Sequence, residues 1–217
     1  MATNEPSLSV NPPIPWRGQT LILPAVIALA VAALIFQPLR NVMRVHLLAA
    51  EARRLGGWAE VPSEQAFYPW DTTVVQLRLH DVRVDPADFI RLARLPGFAL
   101  VSHLDLSGTG LPDSAFVSLE GHPKITYLIL SGTGLTNEGL RSIIKVPFLT
   151  MLNLSGTAVT DEGLELLIRN RDRLRLGNLN LTGTQVTPGG VRRLSQAFVN
   201  LFIKHPSAPN PAIDGQR

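Results

Sequence analysis

Leu152-Asn153-Leu154-Ser155-Gly156-Thr157-Ala158-Val159-Thr160-Asp161-Glu162-Gly163-Leu164 carries the signals of a strand, a turn and a helix in one short run. Leu152 and Leu154 alternate with polar residues, the period of a strand with one buried face. Gly156 eases the turn through its small size and φ freedom. The Thr157 hydroxyl is placed to bond backbone groups as the chain leaves the strand. Thr160 occupies a helix N-cap position, and Leu164 with Leu167 opens the apolar face of the helix that follows.

The pattern recurs on both sides. Val101, Leu104, Leu106, Thr109 and Leu111 repeat it, as do Ile125, Leu128, Leu130, Thr133 and Leu135. Leu149 starts the quoted copy, and Leu176, Leu179, Leu181, Thr184 and Val186 follow it. A weaker first copy is Val74, Leu77, Leu79, Val82 and Val84. The starts at 74, 101, 125, 149 and 176 are spaced by 27, 24, 24 and 27 residues. A period of 20–30 residues marks a solenoid of strand–helix units that bury their apolar faces against one another.

The spacing predicts an α/β fold with about five parallel strands, at Val75–Leu79, Ser102–Leu106, Thr126–Leu130, Met151–Leu154 and Asn178–Leu181, each followed by a helix. Asp85, Thr136, Thr160 and Thr187 are the predicted N-caps, with Pro86 and Pro188 at the first helical position, where proline is favoured. Pro112 replaces the cap in one repeat, so that helix is expected to begin at Asp113. Phe89/Leu92, Phe116/Leu119, Leu140/Ile143, Leu164/Leu167 and Val191/Leu194 are the inward helix pairs. Stacked repeats need covered ends. Trp58, Phe67, Tyr68 and Trp70 are candidates for the N-terminal cap; Phe198, Leu201, Phe202 and Ile203 are candidates for a degenerate sixth strand.

On these motifs the chain resembles the leucine-rich-repeat family. The form L-x-L-x-G-T-x-V-T-D-x-G-L is similar to a variety common in bacterial repeat proteins, many of them membrane-anchored. The resemblance covers roughly residues 74 to 194. It implies a leucine-rich-repeat solenoid and a binding scaffold that is reused for many partners.

The N-terminal part reads differently. Residues 1–19 are polar and proline-rich, a composition that predicts disorder. Gly18 to Leu39 carries no charge, about 22 residues that would span about 33 Å as a helix, against a hydrocarbon core of roughly 30 Å. A single transmembrane helix over residues 20–39 is expected. The main alternative is a cleaved signal peptide with small-residue sites at Ala28-Leu29-Ala30 or Ala30-Val31-Ala32, and a third reading is a buried soluble helix. Arg40, Arg44, Arg53 and Arg54 follow the span and only Arg17 precedes it, a bias that places the repeats in the cytoplasm. Residues 40–57 read as a juxtamembrane amphipathic helix ended by Gly56-Gly57. Its Val42, Val45, Leu48, Ala49, Ala52 and Leu55 stripe is expected to pack on the first repeat, and its arginines offer a second reading, contact with anionic lipid. Residues 58–203 form the repeat domain with its caps, and 204–217 a proline-rich tail expected to be disordered.

Composition narrows the function classes. The chain has 217 residues, a net charge of +3 and no cysteine, which removes disulfide caps, thiolate metal sites and cysteine nucleophiles. The basic residues are scattered without interleaved aromatics, so nucleic acid is not an expected partner. His103, Asp105 and Ser107 have the residue types of a triad, but at i, i+2 and i+4 of one strand they stand about 7 Å and 13 Å apart. Ser142-Ile143-Ile144-Lys145 matches S-x-x-K but lacks its companion motifs. Asn153-Leu154-Ser155 and Asn180-Leu181-Thr182 are glycosylation sequons placed on strands and are read as coincidental. No catalysis, cofactor, metal or small-molecule substrate is expected; a hydrolase is a remote alternative.

The informative constellation is the outward, concave strand face. Its columns are Gln76/His103/Tyr127/Met151/Asn178, Arg78/Asp105/Ile129/Asn153/Asn180 and His80/Ser107/Ser131/Ser155/Thr182. Tyr127, Ile129 and Met151 form an apolar island within polar columns, the composition of an interface core. Arg78 and Asp105 are expected to pair across adjacent strands. The candidate binding residues are Tyr127, Ile129, Met151, His103, Asn153, Asn178 and Arg78. The expected function is a membrane-anchored protein-interaction module for a protein partner; the alternative is a structural or self-assembling membrane stalk.

Overall fold

The computed structural model describes residues 40–60 and 75–206. The expected transmembrane helix, the N-terminal segment, the cap candidates Phe67, Tyr68 and Trp70, and the tail beyond residue 206 lie outside the described residues. No helix among the described residues is long and apolar enough to cross a membrane.

Seven strands form one sheet in chain order: β1 (Trp58–Glu60), β2 (Val75–Arg78), β3 (Val101–Asp105), β4 (Tyr127–Ile129), β5 (Met151–Asn153), β6 (Asn178–Asn180) and β7 (Phe202–Lys204). The five repeat strands appear where the alternation predicts them. All neighbours from β2 to β7 are parallel. The expected sixth strand is β7, and it includes Lys204, so the repeat domain reaches into the segment read as tail. Unforeseen is β1, which pairs antiparallel with β2 and covers the other end.

Helices α2 (Pro86–Ala93), α3 (Asp113–Phe116), α4 (Asn137–Ile143), α5 (Asp161–Arg169) and α6 (Pro188–Ala197) follow the repeat strands. As Pro112 implies, α3 starts at Asp113; it is short and continues as a 3₁₀ turn over Val117–Leu119. The Asp85, Thr136 and Thr187 side chains cap their helices by accepting backbone N–H groups. Thr160 holds the N-cap position without a side-chain cap bond of its own. Its hydroxyl instead accepts from Asn137 Nδ2 of the neighbouring repeat at 2.8 Å.

The core is a continuous column of inward strand and helix residues. Leu77, Leu104, Leu128, Leu152 and Leu179 are buried on successive strands, and each inward helix pair is buried against them. The turn chemistry is uniform. The hydroxyls of Thr109, Thr133, Thr157 and Thr184 donate to the carbonyls of Leu106, Leu130, Leu154 and Leu181 at 2.6–2.7 Å. Gly108, Gly132, Gly156 and Gly183 have φ between 63° and 72°, which explains glycine there. The weak first repeat places Asp81 in the same left-handed conformation, at φ 56°, and aspartate is one of the few residues that tolerate it.

Outside the sheet a second ladder ties the repeats together. Asp113 accepts the N–H and hydroxyl of Thr136 at 2.8 and 2.6 Å. Asn137 accepts the N–H of Thr160 at 3.0 Å, and Asp161 accepts the N–H and hydroxyl of Thr187 at 2.7 and 2.6 Å. The ladder stops where Pro188-Gly189 stands in place of a further acceptor.

Helix α1 is described over residues 40–54 and ends at Gly56, φ 82°. Val45, Leu48, Ala49 and Ala52 are fully buried, so its apolar stripe does pack on the first repeat.

Candidate functional site: the outward strand face

Because side chains alternate across a strand, residues flanking each buried leucine point away from the helices. The register sets them in two rows. Gln76, His103, Tyr127, Met151 and Asn178 are successive partners, and the row continues to Phe202. Arg78, Asp105, Ile129, Asn153 and Asn180 form the other, with Trp58 before it and Lys204 after it. All seven candidate residues are therefore brought onto one face.

At its centre the His103 ring lies flat on Tyr127, centroids 4.2 Å apart and planes 8° from parallel. Partial burial lowers the His103 pKa, and the nearby Arg78 charge lowers it further. Both favour the neutral ring, which suits an aromatic stack. Its Nδ1 is 3.1 Å from the Ser102 hydroxyl. Tyr127 stays 42% exposed, so its second face is open to a partner. Beside it, Ile129 and Met151 are half-buried.

The Arg78–Asp105 pair does not form. Arg78 donates to Gln76 Oε1 at 2.9 Å, and its guanidinium lies over the Trp58 ring, 5.4 Å from the centroid. Asp105 instead accepts from the N–H of Ser107 at 3.0 Å and from the Ser107 hydroxyl. A flat guanidinium stacks on an aromatic face as readily as it meets a carboxylate, and β1 supplies that face. The same bonds deny His103, Asp105 and Ser107 any relay, since the acid holds the serine and the histidine faces another residue.

Asp105 also shows what the second row does. Asn153 Oδ1 accepts from the N–H of Ser155 at 3.0 Å, and Asn180 Oδ1 from that of Thr182 at 3.1 Å. These side chains close the turns after β3, β5 and β6, the local job that suits Asp and Asn. Asn153 is thus a turn residue as much as a contact residue, and both sequon asparagines are engaged in this way. Ile129 occupies the same place and can make no such bond. At this point the repeat gives up a turn hydrogen bond and exposes apolar surface.

Arg78, His103, Tyr127, Ile129 and Met151 border a shallow hollow of about 130 Å³. Drug-sized and cofactor pockets occupy about 300–1,000 Å³, so the hollow suits one protruding side chain better than an enclosed small molecule.

The family model described as Leucine Rich repeat matches residues 121–143 and 147–167, the units built on β4–α4 and β5–α5. The two matched units are leucine-rich repeats. Comparison with curated proteins gives no match. Leucine-rich-repeat domains are generally non-enzymatic scaffolds that bind proteins, and the face described here is their strand face.

Sequence reasoning missed Trp58 and Phe202 as members of this surface. They are 46% and 54% exposed and stand at its two ends, adding aromatic area outside the repeat. The sequence reading places Trp58 in the N-terminal cap and Phe202 in the degenerate sixth strand, not on the outward face. The inward alternation of Ala59 and Ile203 was the signal that each flanking residue faces out.

Proposed function

We propose that the chain is a membrane-anchored interaction module whose strand face around Tyr127, Ile129 and Met151 binds a protein partner. The observation that carries this is Ile129: three of the five equivalent positions bear a turn-closing Asp or Asn, and of the two that do not, Arg78 and Ile129, the apolar one sits beside the His103–Tyr127 stack. An aromatic and aliphatic patch with polar margins is the composition of an interface core. Arg78 on Trp58 and Asn178 mark its rim. The uncharged stretch Gly18 to Leu39 supplies the anchor, and the arginines that follow it favour a cytoplasmic repeat domain.

The test is affinity capture from solubilised membranes with the full chain and two sets of variants. Tyr127→Ala is expected to weaken partner recovery about thirtyfold, the equivalent of ~2 kcal/mol, while thermal stability stays nearly unchanged. Arg141→Ala with Lys145→Ala, on the helix side, should leave recovery intact. If the helix-side variants abolish binding and Tyr127→Ala does not, the partner site lies elsewhere. Recovery of the protein itself alone would favour the self-assembling stalk. The anchor is tested separately: the full-length chain should stay with membranes through carbonate and salt washing, and release would show it to be peripheral.

A further inference from the structure

Helix α1 has one face locked into the domain and another that nothing among the described residues covers. On the locked side, Gly97 lies directly against the Arg44 carbonyl, and a Cβ there would collide with it. Glu51 binds Arg91 of α2 at 2.9 Å, and Arg54 binds Asp88 at 3.2 Å. With four fully buried apolar residues beneath it, α1 is a rigid part of the repeat domain.

The open side bears Arg40, Met43, His46, Leu47, Ala50 and Arg53, all exposed. Met43 and Leu47, one turn apart, are 67% and 58% exposed. The only acid on the helix is Glu51, and it is committed to Arg54 and Arg91. An apolar centre flanked by unneutralised arginines is the composition of a helix that lies in a bilayer interface. Anionic headgroups complement it in charge, and each arginine near such a surface raises attraction about fivefold. The uncharged stretch ends at Leu39, immediately before Arg40.

We propose that the Met43/Leu47 face of α1 rests on the surface of an anionic bilayer, fixing the orientation of the whole repeat domain against it. The inference rests on the membrane anchoring proposed above. Because α1 is clamped to α2, its contact with lipid would hold the strand face at one set angle rather than on a loose tether.

The chain has no cysteine, so single labels are unambiguous. The experiment uses the full chain reconstituted in phosphatidylcholine vesicles with or without phosphatidylserine. Met43→Cys, Leu47→Cys and, as a control on the exposed side of α5, Glu162→Cys each carry an environment-sensitive fluorophore. Blue-shifted emission and at least fivefold protection from an aqueous quencher at the first two positions, only in anionic vesicles and reversed by Arg40→Gln with Arg53→Gln, are expected. Labels that stay solvent-like while the chain remains in both vesicles through carbonate washing would overturn this inference and leave the anchor intact. Equal protection in neutral vesicles, or in detergent without lipid where a second copy would be the cover, would overturn it too. Failure of the chain to remain with either vesicle would remove the anchor and this inference together.

Discussion

Gly139 on α4 sits against Asp113 of the preceding repeat so closely that a Cβ would overlap the aspartate Oδ1. That carboxylate is the one that holds the Thr136 N–H and hydroxyl. The relationship recurs: a Cβ on Gly163 would lie 2.6 Å from Asn137 Oδ1, and one on Gly190 would overlap Asp161. The T-D-x-G element is therefore read across repeats. The acceptor of one unit grips the threonine of the next, and the glycine leaves room for it.

Gly139→Ala is expected to cost ~1–3 kcal/mol through this overlap, despite the better helix propensity of alanine. Gly189→Ala has only ordinary contacts, 3.4 Å to the Thr187 hydroxyl, and should be neutral or stabilising by up to ~1 kcal/mol. Thermal melts of both decide it; equal effects would mean that the glycine serves no inter-repeat purpose.

Asp113→Ala should cost ~1–3 kcal/mol, because it leaves the Thr136 donors without their partner. Asp113→Asn should be much milder. Asn137 already performs the same task one repeat later, accepting from the Thr160 N–H and donating to its hydroxyl. Urea denaturation should separate the two variants; similar losses would show that charge, not hydrogen-bond geometry, matters at this rung.

Leu128→Ala and Leu152→Ala each open a cavity between stacked strands and should cost ~2–5 kcal/mol. Thr133→Ala loses one 2.7 Å bond to the Leu130 carbonyl and should cost about 1 kcal/mol. Calorimetry of the three variants tests the inward register. Leucine losses no larger than that of Tyr127→Ala would place the wrong face in the core.

His122 should make stability fall as pH drops below its unfolded value of about 6.5. Its Nδ1 accepts the Ile125 N–H at 3.2 Å and its Nε2 faces the Phe98 carbonyl at 2.8 Å, which the neutral ring satisfies with a proton on Nε2. Burial lowers its pKa, partly offset by the Phe98 carbonyl, and burial also lowers that of His103. A histidine with a depressed folded pKa contributes fully above its unfolded value of about 6.5, and the contribution is lost as pH falls through the folded one. Glu51, Glu120 and Asp161, shifted below ordinary carboxylate values, do not titrate in this window. His122→Gln should flatten the pH dependence of the melting temperature even if it lowers stability overall. His103→Asn should flatten it too, and an unchanged slope in both would refute the assignment.

By itself the sequence determined the repeat period, the inward leucines, the Gly–Thr turns and most helix starts. Each depends on spacing along the chain or on which residue a local conformation admits, and both are written within one unit. The columns of the candidate face were legible too, since equal spacing puts equal positions side by side. Only the tertiary structure decided what those positions touch. Arg78 lies on Trp58 because β1 turns back antiparallel, outside the period. His103 stacks on Tyr127 because facing strands bring two rings together. Asp113 meets Thr136 and Gly139 across more than 20 residues of chain. These choices are competitions among neighbours that exist only once the repeats have stacked, and no spacing within a single repeat encodes their outcome.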